Sequence, residues 1–100
     1  MNIETASRQV DALGNPTRLR IYRALVRAGE TGAPVGQVQE ALGLPASTLS
    51  HHLKKLLEVG LIRQERSGTT LHCHAEYPVM RALVGFLVDE CCVDEGTNVG

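Results

Sequence analysis

A mainly α fold with a small β-hairpin is predicted for this 100-residue chain by three observations. Apolar residues recur at helical spacing in five separate segments. Two short stretches of alternating character flank one Ser-Gly turn. Apolar residues make up 43% of the chain but only three are aromatic, so the core must be mostly Leu, Val, Ala and Ile, as in small helical proteins.

Ile3, Ala6, Val10 and Leu13 are spaced for one face of a first helix, which Gly14 ends. Asn15 and Pro16 start a second: Asn caps it, and the missing N–H of proline does no harm in a first turn. Leu19, Tyr22, Leu25 and Val26 should point inward from this helix, and Arg18, Arg20, Arg23 and Arg27 lie mainly on its outer sides, until Gly29. Glu30 to Pro34 reads as a connection. Val35, Val38, Ala41 and Leu42 suggest a short third helix closed by Gly43, and Gly43-Leu44-Pro45 a tight turn into a fourth. In the fourth, Leu49, Leu53 and Leu56 form an apolar stripe with Leu57 on its flank, and Gly60 stops it.

Beyond Gly60, IRQERS and TTLHCHAE flank Ser67 and Gly68 as the strands of a hairpin, with glycine supplying a positive φ. On the second strand Leu71, Cys73 and Ala75 share one face and Thr70, His72 and His74 the other. Cys73 should therefore point into the core, and the two histidines should be an exposed, metal-free pair. Tyr77 and Pro78 open a last helix in which Val79, Met80, Leu83, Val84, Phe86, Leu87 and Val88 leave little polar surface. One small domain cannot cover so many directions, so this helix should be shared with a second subunit, with the first helix beside it. The expected organisation is one domain over 1–92 and a flexible acidic tail over 93–100.

The fourth helix has a second face of a different character. Ser47, His51, Lys54 and Glu58 point away from the leucine stripe, bordered by Thr48, Ser50 and Lys55. Hydroxyls and an imidazole are poor helix formers and good short-range hydrogen-bonders, a mixture suited to base edges with phosphate clamps further along. The alternative is a solvated face whose hydroxyls serve only to cap the helix. Net charge is −1, but it is unevenly placed. Lys54, Lys55, Arg63, Arg66 and all four histidines fall between Leu44 and Ala75, whereas from Ala82 onward there are only the acids Asp89, Glu90, Asp94 and Glu95. A basic middle can bind DNA in a chain that is near neutral overall.

No apolar run approaches the ~18 residues of a membrane span, and no signal-peptide pattern opens the chain. Three cysteines, two of them adjacent, make no disulfide framework, so a reducing, cytoplasmic setting is expected. An enzyme would have to use Cys/His pairs, and in His72-Cys73-His74 the thiol lies on the opposite strand face from both imidazoles.

Four helices, the last two joined as a helix-turn-helix, then a hairpin and a terminal helix form the plan of a winged helix-turn-helix. Here the sequence resembles the ArsR/SmtB family of small dimeric bacterial repressors over about Asp11 to Cys92. ALGNPTRLRIYRALVRAG is similar to the family's opening helices, GLPASTLSHHLKKLLEVGLI to its recognition unit, and Arg66 to Ala75 to its wing. The resemblance implies that Ser47, Thr48, Ser50 and His51 approach the major groove of double-stranded operator DNA, and that Lys54, Lys55 and Arg66 meet phosphates. It implies a homodimer through the first and last helices, with His52 in a supporting role.

Family members are switched by ligands at different places. VGQVQEALG lacks the cysteine pattern of many arsenic and cadmium sensors, and Tyr77 to Glu90 holds no histidine for the zinc pattern of the last helix. Asp89-Glu90-Cys91-Cys92 is similar to the adjacent-cysteine ending of another arsenic-sensing branch, although no third cysteine follows in Val93 to Gly100. The resemblance thus implies a repressor needing no cofactor and released by trivalent arsenic or antimony at Cys91 and Cys92. On a continuous helix the two side chains would diverge by about 100°, so both reach one ion only if the helix end frays. A different thiophilic metal, a redox signal, or constitutive binding with structural cysteines are the alternatives.

Overall fold

In the computed structural model, which describes residues 1–95, the chain forms α1 (Ile3–Leu13), α2 (Pro16–Ala28), β1 (Ala33–Pro34), α3 (Val35–Leu42), α4 (Ala46–Glu58), β2 (Ile62–Ser67), β3 (Thr70–Ala75) and α5 (Tyr77–Val88). The helix starts follow from local chemistry. Asn2 and Asn15 accept from the backbone N–H of Thr5 (2.8 Å) and Arg18 (3.0 Å), each satisfying a donor that the first helical turn leaves free. The stop of α3 is a Schellman closure: Gly43 takes the left-handed φ of 64°, and the Leu44 N–H reaches back to the Gln39 carbonyl. Gly60, at φ 76°, closes α4 in the same way, with the Leu61 N–H on the Leu56 carbonyl.

The hairpin β2–β3 pairs Ile62 with Ala75 through Ser67 with Thr70, so its two-residue loop is Gly68-Thr69, one residue later than the sequence suggested. A third strand was not legible. β1, in the stretch expected to be only a connection, pairs antiparallel with β3 and gives the sheet order β1-β3-β2. Two residues are too short to show a period, and Pro34, which has no N–H to donate, is tolerated because β1 is an edge strand. The Glu30–Gly32 segment that leads into this strand covers the β3 face that was expected to be open. His74 is buried and donates from Nδ1 to the Glu30 carbonyl (3.1 Å), and His72 is half-buried, so the exposed histidine pair is not found.

Ile21, Leu25, Leu49, Leu56, Leu61 and Cys73 are fully enclosed at the centre, and Cys73 does point inward. Ile21 takes the place expected for Leu19, which is exposed. α1 turns Ala6, Gln9 and Ala12 inward rather than Ile3 and Val10. Small residues let α1 approach α4 closely enough for Gln9 Nε2 to donate to the Val59 carbonyl (3.1 Å). The larger side chains Ile3 and Val10 are left outside, as are Val84, Leu87 and Val88 of α5. α5 ends at Val88, before both adjacent cysteines. Of the acidic tail expected over 93–100, residues 96–100 lie outside the described part.

Candidate nucleic-acid interface

α4 is fixed by its leucines. Leu49, Leu53 and Leu56, all at most 3% exposed, seat one side of the helix in the core, each contributing about 1.5–3 kcal/mol by burial. The geometry of a helix then dictates that Ser47, Ser50, His51, Lys54 and Lys55 face solvent, and they do. Thr48 is half-buried at the edge of that face. Pro45 is the N-cap and no side chain caps the helix, so the three hydroxyls are not used as caps. They stand within the first two turns, where free backbone N–H groups and the positive end of the helix dipole also favour an anion such as a phosphate.

His52 lies behind this face, half-buried, and links α4 to α2. Arg18 Nη1 donates towards its Nδ1 (3.4 Å), while Arg18 Nε is tied to the Ala12 carbonyl at the end of α1. Because a guanidinium only donates, Nδ1 must be the unprotonated nitrogen. Burial, then the charge of Arg18, lowers the His52 pKa and keeps the ring neutral. Arg18, placed on an outer side from sequence, is therefore a tie between three helices. Its partner is 34 residues away, and no local pattern announces it.

On the hairpin, Arg66 is exposed near the loop. Arg63 is held differently, donating to Glu76 (2.5 Å) and Glu65 (3.0 Å). The hydrogen bond to Glu76, then that to Glu65, raises the Arg63 pKa, and Arg63 in turn lowers that of Glu65. Among the described residues Lys54, Lys55 and Arg66 form no salt bridge, which leaves their charges available to phosphates.

Cys91 and Cys92 are exposed in a run of tight turns after α5. The Cys91 N–H bonds to the Val88 carbonyl (2.9 Å) and the Val93 N–H to the Glu90 carbonyl (3.1 Å); Glu90 and Cys92 have φ of 60° and 63°. These left-handed residues break the helical progression and bring the two sulfurs to 3.1 Å. The hydrogen bond that the Cys92 thiol donates to Cys91 pushes its pKa up, favouring its neutral form. Cys73 is not within this group: it is buried, with Gln64 donating to its sulfur (3.3 Å). Among the described residues no three His, Cys, Asp or Glu side chains are placed to hold a metal ion. No described helix is long and apolar enough to cross a membrane.

Residues 13–65, from the end of α1 into β2, match a family model described as a helix-turn-helix domain. An HTH-type transcriptional regulator of Methanocaldococcus jannaschii is 35% identical over 66 residues, covering 66% of this chain and 72% of that protein. The nodulation protein NolR of Rhizobium meliloti is 31% identical over 86 residues, covering 86% and 68%. The solution structure of a homodimeric winged helix-turn-helix domain from Mycobacterium bovis, a possible ArsR-family regulator, superposes with a TM-score of 0.70. It is 30% identical, and the match covers 89% of this chain and 82% of that one. With leucines on one side of α4, an exposed polar face on the other and the β2–β3 wing beyond it, the chain belongs to the ArsR/SmtB family of winged helix-turn-helix transcriptional regulators.

Proposed function

We propose that the chain acts as a homodimeric repressor whose two α4 helices read an operator, and that trivalent arsenic or antimony at Cys91 and Cys92 releases it. The observation that carries the DNA-reading half is the exposed face of α4, where Ser47, Ser50 and His51 offer short polar groups not engaged as caps, followed by Lys54 and Lys55. In this reading Ser47, Thr48, Ser50 and His51 meet base edges and Lys54, Lys55 and Arg66 meet phosphates. Dimerisation is supported by the exposed Ile3 and Val10 of α1 and Val84, Leu87 and Val88 of α5, large apolar side chains that a second copy would cover.

The release half rests on the two sulfurs, 3.1 Å apart and solvent-exposed. Arsenous acid condenses with two neutral thiols: two S–As bonds replace two As–O bonds, the thiol protons leave with the hydroxyls as two waters, and nothing is oxidised or reduced. A raised thiol pKa is no obstacle to this reaction, whereas it slows attack on a peroxide, which requires the thiolate. The acids Asp89, Glu90, Asp94 and Glu95 in the same stretch attract soft divalent cations, so cadmium or lead is the second reading. Closing the post-α5 turns around an ion alters how α5 sits on α1 and on the partner. Coupling of a few kcal/mol is enough to empty the operator.

The test is a fluorescence-anisotropy titration on DNA selected from a random pool, with arsenite, cadmium or neither present. Saturable, sequence-selective binding abolished by arsenite supports the proposal. Binding abolished only by cadmium selects the second reading, and binding indifferent to both removes the switch from these cysteines.

A further inference from the structure

We infer that the contact between Arg18 and His52 is a titratable latch on the recognition helix: closed, it carries the position of α1 into α4, and protonation of His52 opens it. This rests on the dimeric, operator-reading function proposed above, in which α1 meets the partner subunit and α4 meets the bases. α1 lies against α4 through the small side chains Ala6 and Ala12, and two polar links join the pair. Gln9 Nε2 donates to the Val59 carbonyl at the end of α4 (3.1 Å). The Ala12 carbonyl accepts from Arg18 Nε, and Nη1 of the same guanidinium donates to His52 Nδ1 (3.4 Å). Gln9 and Ala12 are about one turn apart on α1, and His52 and Val59 about two turns apart along α4, so both links run along one seam. The outer face of α1 carries Ile3 and Val10, the side chains left for a second copy. A change in how two subunits meet therefore moves α1, and the seam passes that movement to α4. The Gln9 link joins groups that do not titrate, whereas the Arg18 link ends on one that does.

Nδ1 accepts only while it is unprotonated. A proton there replaces the acceptor with a donor and sets one cation against another across the same contact. Burial, then the charge of Arg18, then that of His51, holds the ring's pKa below its ordinary value, so the latch is closed at neutral pH and opens in acid. The other charged groups around Arg18 are Arg8 and Asp11 of α1 and Lys55 and Glu58 of α4. Among the described residues neither carboxylate bridges to Arg18 or His52, so no acid takes up the second charge. His51 stands beside His52 in an edge-to-face arrangement, ring centroids 5.5 Å apart, so the ring that the latch releases is in contact with a residue assigned above to a base edge. In this role Arg18 and His52 position the residues that read DNA and do not read it themselves.

The experiment follows the ratio of operator to random-sequence affinity from about pH 8 to pH 5 on the full chain, with an operator selected from a random DNA pool. The wild-type ratio should fall in acid as His52 titrates. His52→Asn keeps an acceptor near the Nδ1 position and cannot be protonated, so its ratio should match wild type at the alkaline end and hold in acid. His52→Leu has no acceptor, and its ratio should lie about tenfold below wild type even at the alkaline end, the effect of losing one hydrogen bond from a charged donor. A merely structural role would lower stability without moving this profile. The same acid fall in wild type and His52→Asn, or undiminished discrimination by His52→Leu, would overturn the proposal. A second measurement needs no DNA. In amide NMR spectra of the free chain, Ala12 and Leu13 should follow the titration of His52 together with α4, and Arg18→Gln should abolish their response. If Ala12 and Leu13 ignore the titration, or follow it equally in Arg18→Gln, there is no latch, whereas a chain that selects no DNA sequence fails the operator function alone.

Discussion

Ser50 and His51 place short polar groups on an exposed helix face, while Lys54 beside them carries a point charge on a long flexible stem, so the two kinds of residue should fail differently when removed. Ser50→Ala with His51→Ala should remove sequence discrimination, by about 1–3 kcal/mol for each good base contact. Lys54→Ala should weaken binding to all sequences alike and flatten the slope of log K against log salt by about one unit per subunit. Competition between operator and random DNA at two salt concentrations separates the outcomes. His52 adds a pH dependence. Its folded pKa lies below the ordinary 6.5, so the unfolded chain binds the proton more readily and stability must fall as pH drops below about that value. That loss is complete beneath the folded pKa. Thermal melts from pH 7.5 down to 5 should show a shallower acid decline for His52→Gln than for wild type. The exposed face of α4 was legible because helical periodicity alone fixes it. The Arg18–His52 contact was not, since it joins residues that only the packing of α2 on α4 brings together.

Among the elements, those bounded by local chemistry were legible in advance: the Asn15 cap, the glycine stops at Gly14, Gly29, Gly43 and Gly60, and the wing turn to within one residue, whereas the Asn2 cap was not read. β1 was not, because two residues carry no period and their pairing with β3 spans about forty positions. The segment leading into that strand explains why His74 was misjudged. Strand alternation says which side a residue faces, not whether another segment covers that side. Gly32 marks the cover: a Cβ there would meet His74 Nδ1 at 2.5 Å and the Cys73 carbonyl at 2.6 Å, on a backbone with φ of 71°. Gly43 has a similar φ of 64° but open space around it. Gly43→Ala should therefore cost only the left-handed conformation, about 1 kcal/mol, whereas Gly32→Ala adds displacement of a buried strand and should cost about 2–4 kcal/mol. Urea denaturation of the two variants checks the difference. Equal losses would mean that the loop over His74 yields freely.

At the scale of the molecule, the outward-facing Ile3, Val10, Val84, Leu87 and Val88 are better explained by a second copy than by the fold of one chain. Here the sequence was informative through excess: the last helix has more apolar directions than one core can use. In the proposed dimer the two α4 helices enter successive major grooves, with half-sites about 34–36 Å apart. Leu87→Glu should place a charge in the interface and yield a folded monomer that binds DNA poorly. Sedimentation at micromolar concentration reports this directly, and a monomeric wild type would contradict the dimer. The end of α5 was legible only in part. The need for the helix to stop before both thiols could meet was apparent, but not that Glu90 and Cys92 would turn left-handed to bring the sulfurs together. The proposed switch joins the two ends of the molecule, operator on α4 and ligand at Cys91 and Cys92. Its most direct test is operator anisotropy during an arsenite titration of wild type, Cys91→Ser and Cys92→Ser. All three should bind the operator with similar affinity, and only the wild type should be released; release of both variants at the wild-type arsenite concentration would contradict the claim.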